Sequence, residues 1–550
     1  MCGIYALLCS ATFNVEEDVL KTAFQKGEKR GPEYSSFSSP SSQLYFGFHR
    51  LAINGLDEIS HQPIHDGSNQ LICNGEIYNS GSIFKSQKIT PKTNSDCEAI
   101  LGIYTRNGPN CVSFLDGVFA FLLYNETTHE LVVARDPYGV RPLYQCMYED
   151  NTIGFASDVE PLLLKDLPMK WIRPFQPGCY AVYTQQGKSW HMTHHERYFF
   201  PLSYQPLETK PMEYYMHSFV RRFQQAVLKR VQNCERDIAC LLSGGLDSSL
   251  ISAYVARFYR EKKGIQTYSI GLKDGEDLKY AQQVAKHIGS HHTEVIMTNE
   301  EFIDSVPHVI HDIESFDTTT VRASVGNWNI GKHIAHHSDA KVIFNGDGAD
   351  ELMGGYLYFH CCPSDDAFHK ETIRLLDQIH RFDVLRSDKS ISSHGLEPRT
   401  PFLDKELTRF YLSIPIEYRN HNRIEGKHQC EKYFIRKAIE LYDPGLLPHE
   451  VLWRQKEAFS DGVSTKELSW YEILQNHIEG LSMDDLTSVD HMKPETKEQH
   501  YYRSIFRKHF PSCCDTLIPC FWMHNFVENA HDASARTLDI YNTGCDSMKS

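Results

Sequence analysis

Ile238-Ala-Cys-Leu-Leu-Ser243-Gly-Gly-Leu-Asp-Ser-Ser249 decides how the second half of this chain folds. A short apolar run passes directly into a turn of glycines and hydroxyls, and the turn opens a helix. That order sets free backbone N–H groups and the positive end of a helix dipole at one spot, which suits phosphate oxygens. Gly244 and Gly245 allow close approach of backbone to an anion, while Ser243, Ser248 and Ser249 add donors. Asp247 is unfavourable beside phosphate unless a cation lies between them, so the loop implies Mg²⁺. It lacks the G-x-x-x-x-G-K-[ST] spacing that serves γ-phosphoryl transfer.

Outward from this loop, helical stretches (Glu213–Gln232, Leu250–Lys263, Leu278–Ile288) alternate with short strands (Ile238–Leu242, Thr267–Gly271, Val342–Asn345). Such alternation predicts a parallel sheet with helices on both faces. A second acidic-glycine turn, Asn345-Gly-Asp-Gly-Ala-Asp-Glu351, follows another buried strand, so both turns should lie at the carboxyl ends of strands, where ligands collect. Helices prevail from about Lys370, and the polar region after Gly480 is unassigned.

The first half reads differently. Leu44–Ile53, Gln70–Asn74, Val118–Tyr124, Glu130–Ala134, Thr152–Ala156 and Gly178–Tyr183 are apolar runs punctuated by Asn-Gly, Asp-Gly and Asp-Pro turns. They predict antiparallel strands, and Glu17–Lys29 and Ser95–Arg106 carry helical spacing, so this half is α+β. Phe199–Pro211, with three prolines, divides a domain over 2–198 from one over 212–550 and reads as a linker.

A length of 550 residues requires more than one core. Hydrophobic residues at 41% and charged residues at 23% are ordinary globular usage. A formal charge of −15 argues against nucleic acid as a partner, because phosphate binding needs a basic face. No apolar run is long enough to span a membrane, and no basic segment precedes the opening Met-Cys-Gly-Ile. The 16 cysteines show no C-x-x-C, which is neither a zinc site nor a disulfide framework. A reducing, cytoplasmic compartment is therefore expected, with a homodimer as the open oligomer. The histidine pairs His194–His195, His291–His292 and His336–His337 are read as surface or loop residues, not metal ligands.

Cys2 stands apart from the other cysteines. Removing Met1 would place its thiol and an α-amine on one residue, so the nucleophile would need no separate base. The opening Met-Cys-Gly-Ile resembles the class II glutamine amidotransferases. Further matches come in order along the chain: Arg30-Gly-Pro32, His49-Arg-Leu-Ala-Ile53, Gln62-Pro63, Asn74-Gly-Glu-Ile-Tyr-Asn79, Ser95-Asp-Cys-Glu98 and Arg135-Asp136 with Gly139 and Pro142-Leu-Tyr144. The resemblance implies a four-layer αββα sandwich of the N-terminal nucleophile type. It implies Cys2 as nucleophile, with Asn74 and Gly75 as the oxyanion hole that meets charge developing on the amide oxygen. Glutamine would be held by Arg50, Leu51, Ile53, Asn74, Gly75, Glu76 and Asp96.

The Ser243–Ser249 loop resembles the pyrophosphate loop of the ATP pyrophosphatases. Asp317-Thr-Thr-Thr-Val-Arg-Ala-Ser324, Gly354–His360, Glu397-Pro-Arg-Thr-Pro-Phe-Leu-Asp404 and Trp453–Val463 are similar to motifs of the glutamine-hydrolysing asparagine synthetases. That resemblance implies ATP binding by Leu241, Ser243, Gly244, Gly245, Leu246, Asp247, Ser248, Ser249, Ile270, Asn345 and Gly346. It also implies that Thr319, Thr320, Arg322, Asp347 and Lys432 line the synthetase site. Arg322 and Lys432 would neutralise phosphate or the intermediate, and Asp247 and Asp350 would hold Mg²⁺. Aspartate, glutamine and ATP are the implied small-molecule partners, and amidation of another carboxylate is the alternative. The chain departs from the family pattern at Lys29, Glu33, Asp158, Asn345 and Asp347, the last shortening a glutamate by one methylene.

Overall fold

The computed structural model describes residues 1–201, 208–259, 264–424, 430–456, 469–481, 491–527, 532 and 534. Residues 202–207 of the expected linker, 260–263, 457–463 of the Trp453–Val463 motif and most of the tail after 527 lie outside the described residues.

Twelve strands build the first half: β1 (Gly3–Leu8), β2 (Tyr34–Ser41), β3 (Leu44–Arg50), β4 (Ile64–Asp66), β5 (Asn69–Ile77), β6 (Gly117–Asn125), β7 (Glu130–Arg135), β8 (Tyr144–Tyr148), β9 (Ile153–Ala156), β10 (Met169–Pro174), β11 (Cys179–Gln186) and β12 (Ser189–Arg197). They form two antiparallel sheets, ordered β10-β8-β9-β1-β3-β2 and β12-β11-β7-β6-β5-β4. Alternation along each strand decides what lies between them. Ile4, Ala6 and Leu8 of β1 face Ile72, Ala120 and Leu122 of the other sheet in one core, while Tyr5 and Leu7 face outward onto Leu20 and Phe24 of the helix Glu17–Gln25. The helix Glu98–Asn107 covers the opposite outer face with Ile100 and Ile103. The layers are α, β, β, α, as expected.

In the second half, β13 (Ile238–Leu241), β14 (Gln266–Leu272), β15 (His291–Met297), β16 (Val342–Phe344) and β17 (Glu397–Arg399) pair in parallel, ordered β15-β14-β13-β16-β17. The chain starts at the centre, moves to one edge, then returns to the other side, so the order reverses between β13 and β16. Ile238 and Cys240 point to one helical layer and Ala239 to the other. No helix of the described residues is long and apolar enough to cross a membrane.

His291 lies exposed at the start of β15, and the His292 ring beside it bonds the hydroxyls of Thr267 at 2.9 Å and Ser269 at 3.1 Å. The region after Gly480 also carries packed structure. Thr496 and Gln499 form a capping box that opens a helix over Lys497–His509, burying Tyr502 and Phe506. Phe199, at the start of the expected linker, is buried against Tyr138 at 5.4 Å.

Candidate active sites

The first site assembles at the rim of the sandwich. Cys2 precedes β1, and its Sγ donates to Leu51 O at 3.5 Å. Burial pushes the thiol up from its ordinary range. Asn74 and Gly75 end the inner stretch of β5. Asn74 is fully buried, its Nδ2 donates to Ser157 Oγ at 3.4 Å, and its Oδ1 has no hydrogen-bond partner. Gly75 is required by close approach: a Cβ there would run into Val118 O. Arg50 is fixed by donating to Asp57 O at 3.0 Å and to Gly55 O, and Leu51 and Ile53 are buried beside it.

Glu76 and Asp96 lie at the seam with the second half. Asn233 Nδ2 donates to Glu76 Oε2 at 2.9 Å and to Asp96 Oδ2 at 3.2 Å, and Ile77 N donates to the same Asp96 oxygen at 2.6 Å. Arg399 of β17 reaches Glu76 at 3.5 Å and Glu397 at 2.9 Å. Burial, then the two neighbouring carboxylates, drives Glu76 well above the usual carboxylate range. Asn233, Glu397 and Arg399, which the sequence reading does not mark, gather around Glu76 and Asp96. They sit 137 or more residues from Asp96 in sequence, in the other half, so only the packing of the halves reveals them. The Met1 amine donates to Leu396 O at 3.1 Å across the same seam, and burial lowers it to about 5.

The second site lies at the reversal point of the parallel sheet, the position where open α/β sheets bind ligands. The turn after β13 and the turn after β16 meet there: a Cβ on Gly346 would lie 2.8 Å from Asp247 Cβ and Ser248 N. Ser243 Oγ bonds Ser248 Oγ at 3.0 Å, and Gly245 N donates to Ser243 Oγ at 3.3 Å, so the hydroxyls shape the loop from inside. A cavity of about 210 Å³ opens between the turns. Its walls include Leu241, Ser243, Gly245, Leu246, Asp247 and Ser248 from the loop, with Ile270, Asn345, Gly346, Asp347, Asp350, Thr319 and Lys432.

Four expected residues do not line the cavity. Gly244, with φ +75°, turns the chain tightly beneath the helix Glu276–Ile288, where a Cβ would run into Ala281 N. Ser249 is fully buried in the next helix. Thr320 bonds back to Asp317 Oδ2 as part of a helix cap, at 2.8 Å from its N and 2.7 Å from its Oγ1. Arg322 is turned away and held by Glu498 and Asp532.

Lys432 Nζ lies 2.5 Å from both Asp247 Oδ2 and Asp350 Oδ1, and Lys456 Nζ lies 2.7 Å from Asp350 Oδ2. Burial alone would raise Asp350, but these two ammonium groups hold it below the usual carboxylate range. The two carboxylates already converge on one cation, and Asp247 Oδ1 is buried with no partner. That arrangement fits a hard divalent ion bound by oxygen. Asp347 is the opposite case: burial and the neighbouring Asp383 push its carboxyl up to about 7, and its Oδ2 has no partner. Asn345 uses its longer side chain to reach Ser387 Oγ at 2.7 Å. Among the described residues no group of three His, Cys, Asp or Glu side chains is placed to hold a metal. His333 does stand one turn before His337, an i, i+4 relation missed in the sequence, with the rings stacked at 4.2 Å.

Comparison with known proteins agrees with this two-site plan. Residues 1–195 match a glutamine amidotransferase domain model, and residues 219–365 and 360–535 match the asparagine synthase model. The chain is 40% identical over 573 residues to "Asparagine synthetase [glutamine-hydrolyzing]" of Gallus gallus, covering 98% of this chain and 99% of that protein. The Homo sapiens protein of the same description is 40% identical over 574 residues, and the Mus musculus one 39% over 573, with the same coverage. With both halves matched and the relatives aligned from end to end, this chain belongs to the asparagine synthase family.

Proposed function

We propose that the chain is a ligase that makes asparagine from aspartate, with ATP as the activating substrate and glutamine as amide donor. The observation that carries this reading is the meeting of the Ser243–Ser249 loop and the Asn345–Asp350 turn around Lys432, in a molecule whose other half holds Cys2 beside Asn74.

In the first half, the Cys2 thiolate attacks the side-chain carbonyl of glutamine. Asn74 Nδ2 and Gly75 N stabilise the oxyanion, ammonia leaves, and water releases glutamate from the thioester. We place the base on the α-amine that Cys2 acquires when Met1 is removed. Burial at this seam lowers the Met1 amine to about 5, the direction that favours a free base. Arg50 would pair with the substrate carboxylate, and Glu76 and Asp96 with its ammonium group.

In the second half, a β-carboxylate oxygen of aspartate attacks the α-phosphorus of ATP and pyrophosphate departs, leaving β-aspartyl-AMP. Ammonia from the first site attacks the acyl carbon, and AMP leaves. Lys432 and the loop N–H groups would meet the phosphate charge. Mg²⁺, held by Asp247 and Asp350, would offset the charge of the departing pyrophosphate. Asp347, raised to about 7, is matched to accept a proton from the attacking amine near neutral pH. All described cysteines are free thiols, which supports a reducing, cytoplasmic setting.

The test is stoichiometric. Incubation with ATP, Mg²⁺, aspartate and glutamine should give asparagine, AMP and pyrophosphate in equal amounts; ADP and phosphate in their place would sink the adenylation reading. Cys2→Ala should abolish glutamine-driven synthesis and leave ammonia-driven synthesis intact. Retained glutamine-driven turnover would overturn the assignment of Cys2.

A further inference from the structure

The helix Thr318–His337 grips the C-terminal segment at two points. Its N-cap, Asp317, accepts Trp522 N at 2.7 Å. One turn further on, Arg322 is saturated by carboxylates. Its Nε and one terminal nitrogen meet Glu498 at 2.7 and 2.6 Å, and its two terminal nitrogens meet Asp532 at 2.8 and 2.7 Å. Its flat face lies 4.7 Å from the Tyr471 ring, and it is only 5% exposed. A guanidinium bound bidentately on two sides has no donor pair left for a phosphate.

Beyond the first grip, two described residues of the segment are built into the pocket. Trp522 and His524 line the cavity beside Thr319 of the gripping helix. The Trp522 ring packs 5.3 Å from Tyr356, and His524 lies 5.5 Å from Tyr358. Asn525 Nδ2 donates to Glu371 Oε2 at 3.0 Å. Tyr356 donates to Glu351, and beyond it stand Asp347, Asp383 and Arg386. This wall mixes one guanidinium with several carboxylates, the complement of a free amino acid that carries an ammonium and two carboxylates. Ser243 and Gly245 come to the same cavity from the loop after β13, and Lys432 packs against Gly355, next to Tyr356.

We propose that Arg322 is a positioning residue whose latch on Asp532 holds Trp522 and His524 against the amino-acid end of the synthetase pocket, so that the C-terminal segment sets the affinity for aspartate. This rests on the reading of the site as an aspartate-activating centre.

The test is ammonia-driven synthesis by the full-length chain, with glutamine hydrolysis as a control at the other site. Asp532→Asn should raise KM for aspartate about tenfold while kcat and KM for ATP stay within about twofold, the pattern of lost ground-state binding. His524→Ala should do the same, and the double variant should be no worse than the poorer single one, because both act through one wall. Asp532→Glu should recover most of the affinity. Aspartate should quench tryptophan fluorescence in the wild type and not in Trp522→Phe. A rise in KM for ATP instead would mean that Arg322 serves phosphate, and a gain in kcat/KM would mean that the segment obstructs the pocket. Unchanged constants, or parallel loss of every activity, would equally overturn the proposal. A wild-type chain that makes no asparagine from ammonia would instead remove the underlying functional reading, which separates the two failures.

Discussion

Asp347 carries the sharpest single-residue consequence. Its folded value of about 7 lies above the 3.8 of a free aspartate, because burial and Asp383 both disfavour the charged form. The sign comes from proton binding: between those values the folded chain holds a proton that the unfolded chain has lost, so stability falls as pH rises. Asp347→Asn cannot ionise. It should therefore gain stability over wild type between pH 4 and 7, by at most about 4 kcal/mol, and the gap should level off above pH 7. Urea midpoints at pH 5 and pH 8 would show it, and equal differences at both values would count against the raised carboxyl. Asp347→Glu asks a separate question. If the shorter side chain limits the chemistry, the longer one should speed asparagine formation by a few fold without changing glutamine hydrolysis; an equal or slower rate would mean that Asn345 and Ser387 have shaped the turn around aspartate. At this scale the sequence was only partly legible. Side-chain type suggested an anion partner for Arg322, but not that Glu498 and Asp532, 176 and 210 residues away in sequence, would supply it.

Among elements, the most legible were those whose residues face two apolar layers. β13 and β16 are buried on both sides and read as continuous apolar runs. β2 and β12 escaped notice for the opposite reason. Tyr34-Ser-Ser-Phe-Ser-Ser-Pro-Ser41 and Ser189-Trp-His-Met-Thr-His-His-Glu-Arg197 are sheet edges, the first half-buried to exposed and the second largely exposed, so alternation is weak. The loop after β13 yields a prediction at this scale. Gly244 has φ +75° and would press a Cβ into Ala281 N and, at 2.5 Å, Tyr280 Cβ. Gly244→Ala must therefore push the loop off the helix Glu276–Ile288 and misplace its N–H groups. ATP-dependent synthesis should fall at least about a hundredfold from both ammonia and glutamine, as when positioned groups are displaced. Glutamine hydrolysis without ATP should survive. Parallel loss of hydrolysis would show that the substitution unfolds the chain instead.

The two halves make one molecule through buried charge. Arg30 bonds Asp158 at 3.1 Å in its own half and Asp388 at 2.7 Å in the other, while Lys389 joins Glu314 and Asp158. Lys29, which departs from the family pattern, reaches Asp312 across the same seam at 2.5 Å. Such pairs fix registry more than they add net stability, and no periodicity in sequence could announce them. Arg399 is the member that touches both sites. Its side chain reaches Glu76 and Glu397 at the proposed glutamine site, while its carbonyl accepts Asn345 N at 3.2 Å in the turn after β16. Arg399→Met keeps the backbone bond and removes the guanidinium, with its charge and its bonds to Glu397 and the Arg230 carbonyl. Glu76, already raised by burial, Asp96 and Glu397, would then lose the cation that draws it down and be pushed further up, which weakens its hold on the ammonium group of glutamine. KM for glutamine should rise at least about tenfold, while ammonia-driven synthesis should stay within about twofold, since breaking a buried pair penalises the carboxylate left behind. Arg399→Lys should recover part of the loss, because it restores charge but not the two-sided reach of the guanidinium. If ammonia-driven and glutamine-driven rates fall together, Arg399 matters to the fold as a whole; if neither changes, Glu76 does not depend on it. The ratio of the two rates therefore measures whether this one side chain serves the glutamine site separately from the strand that carries it.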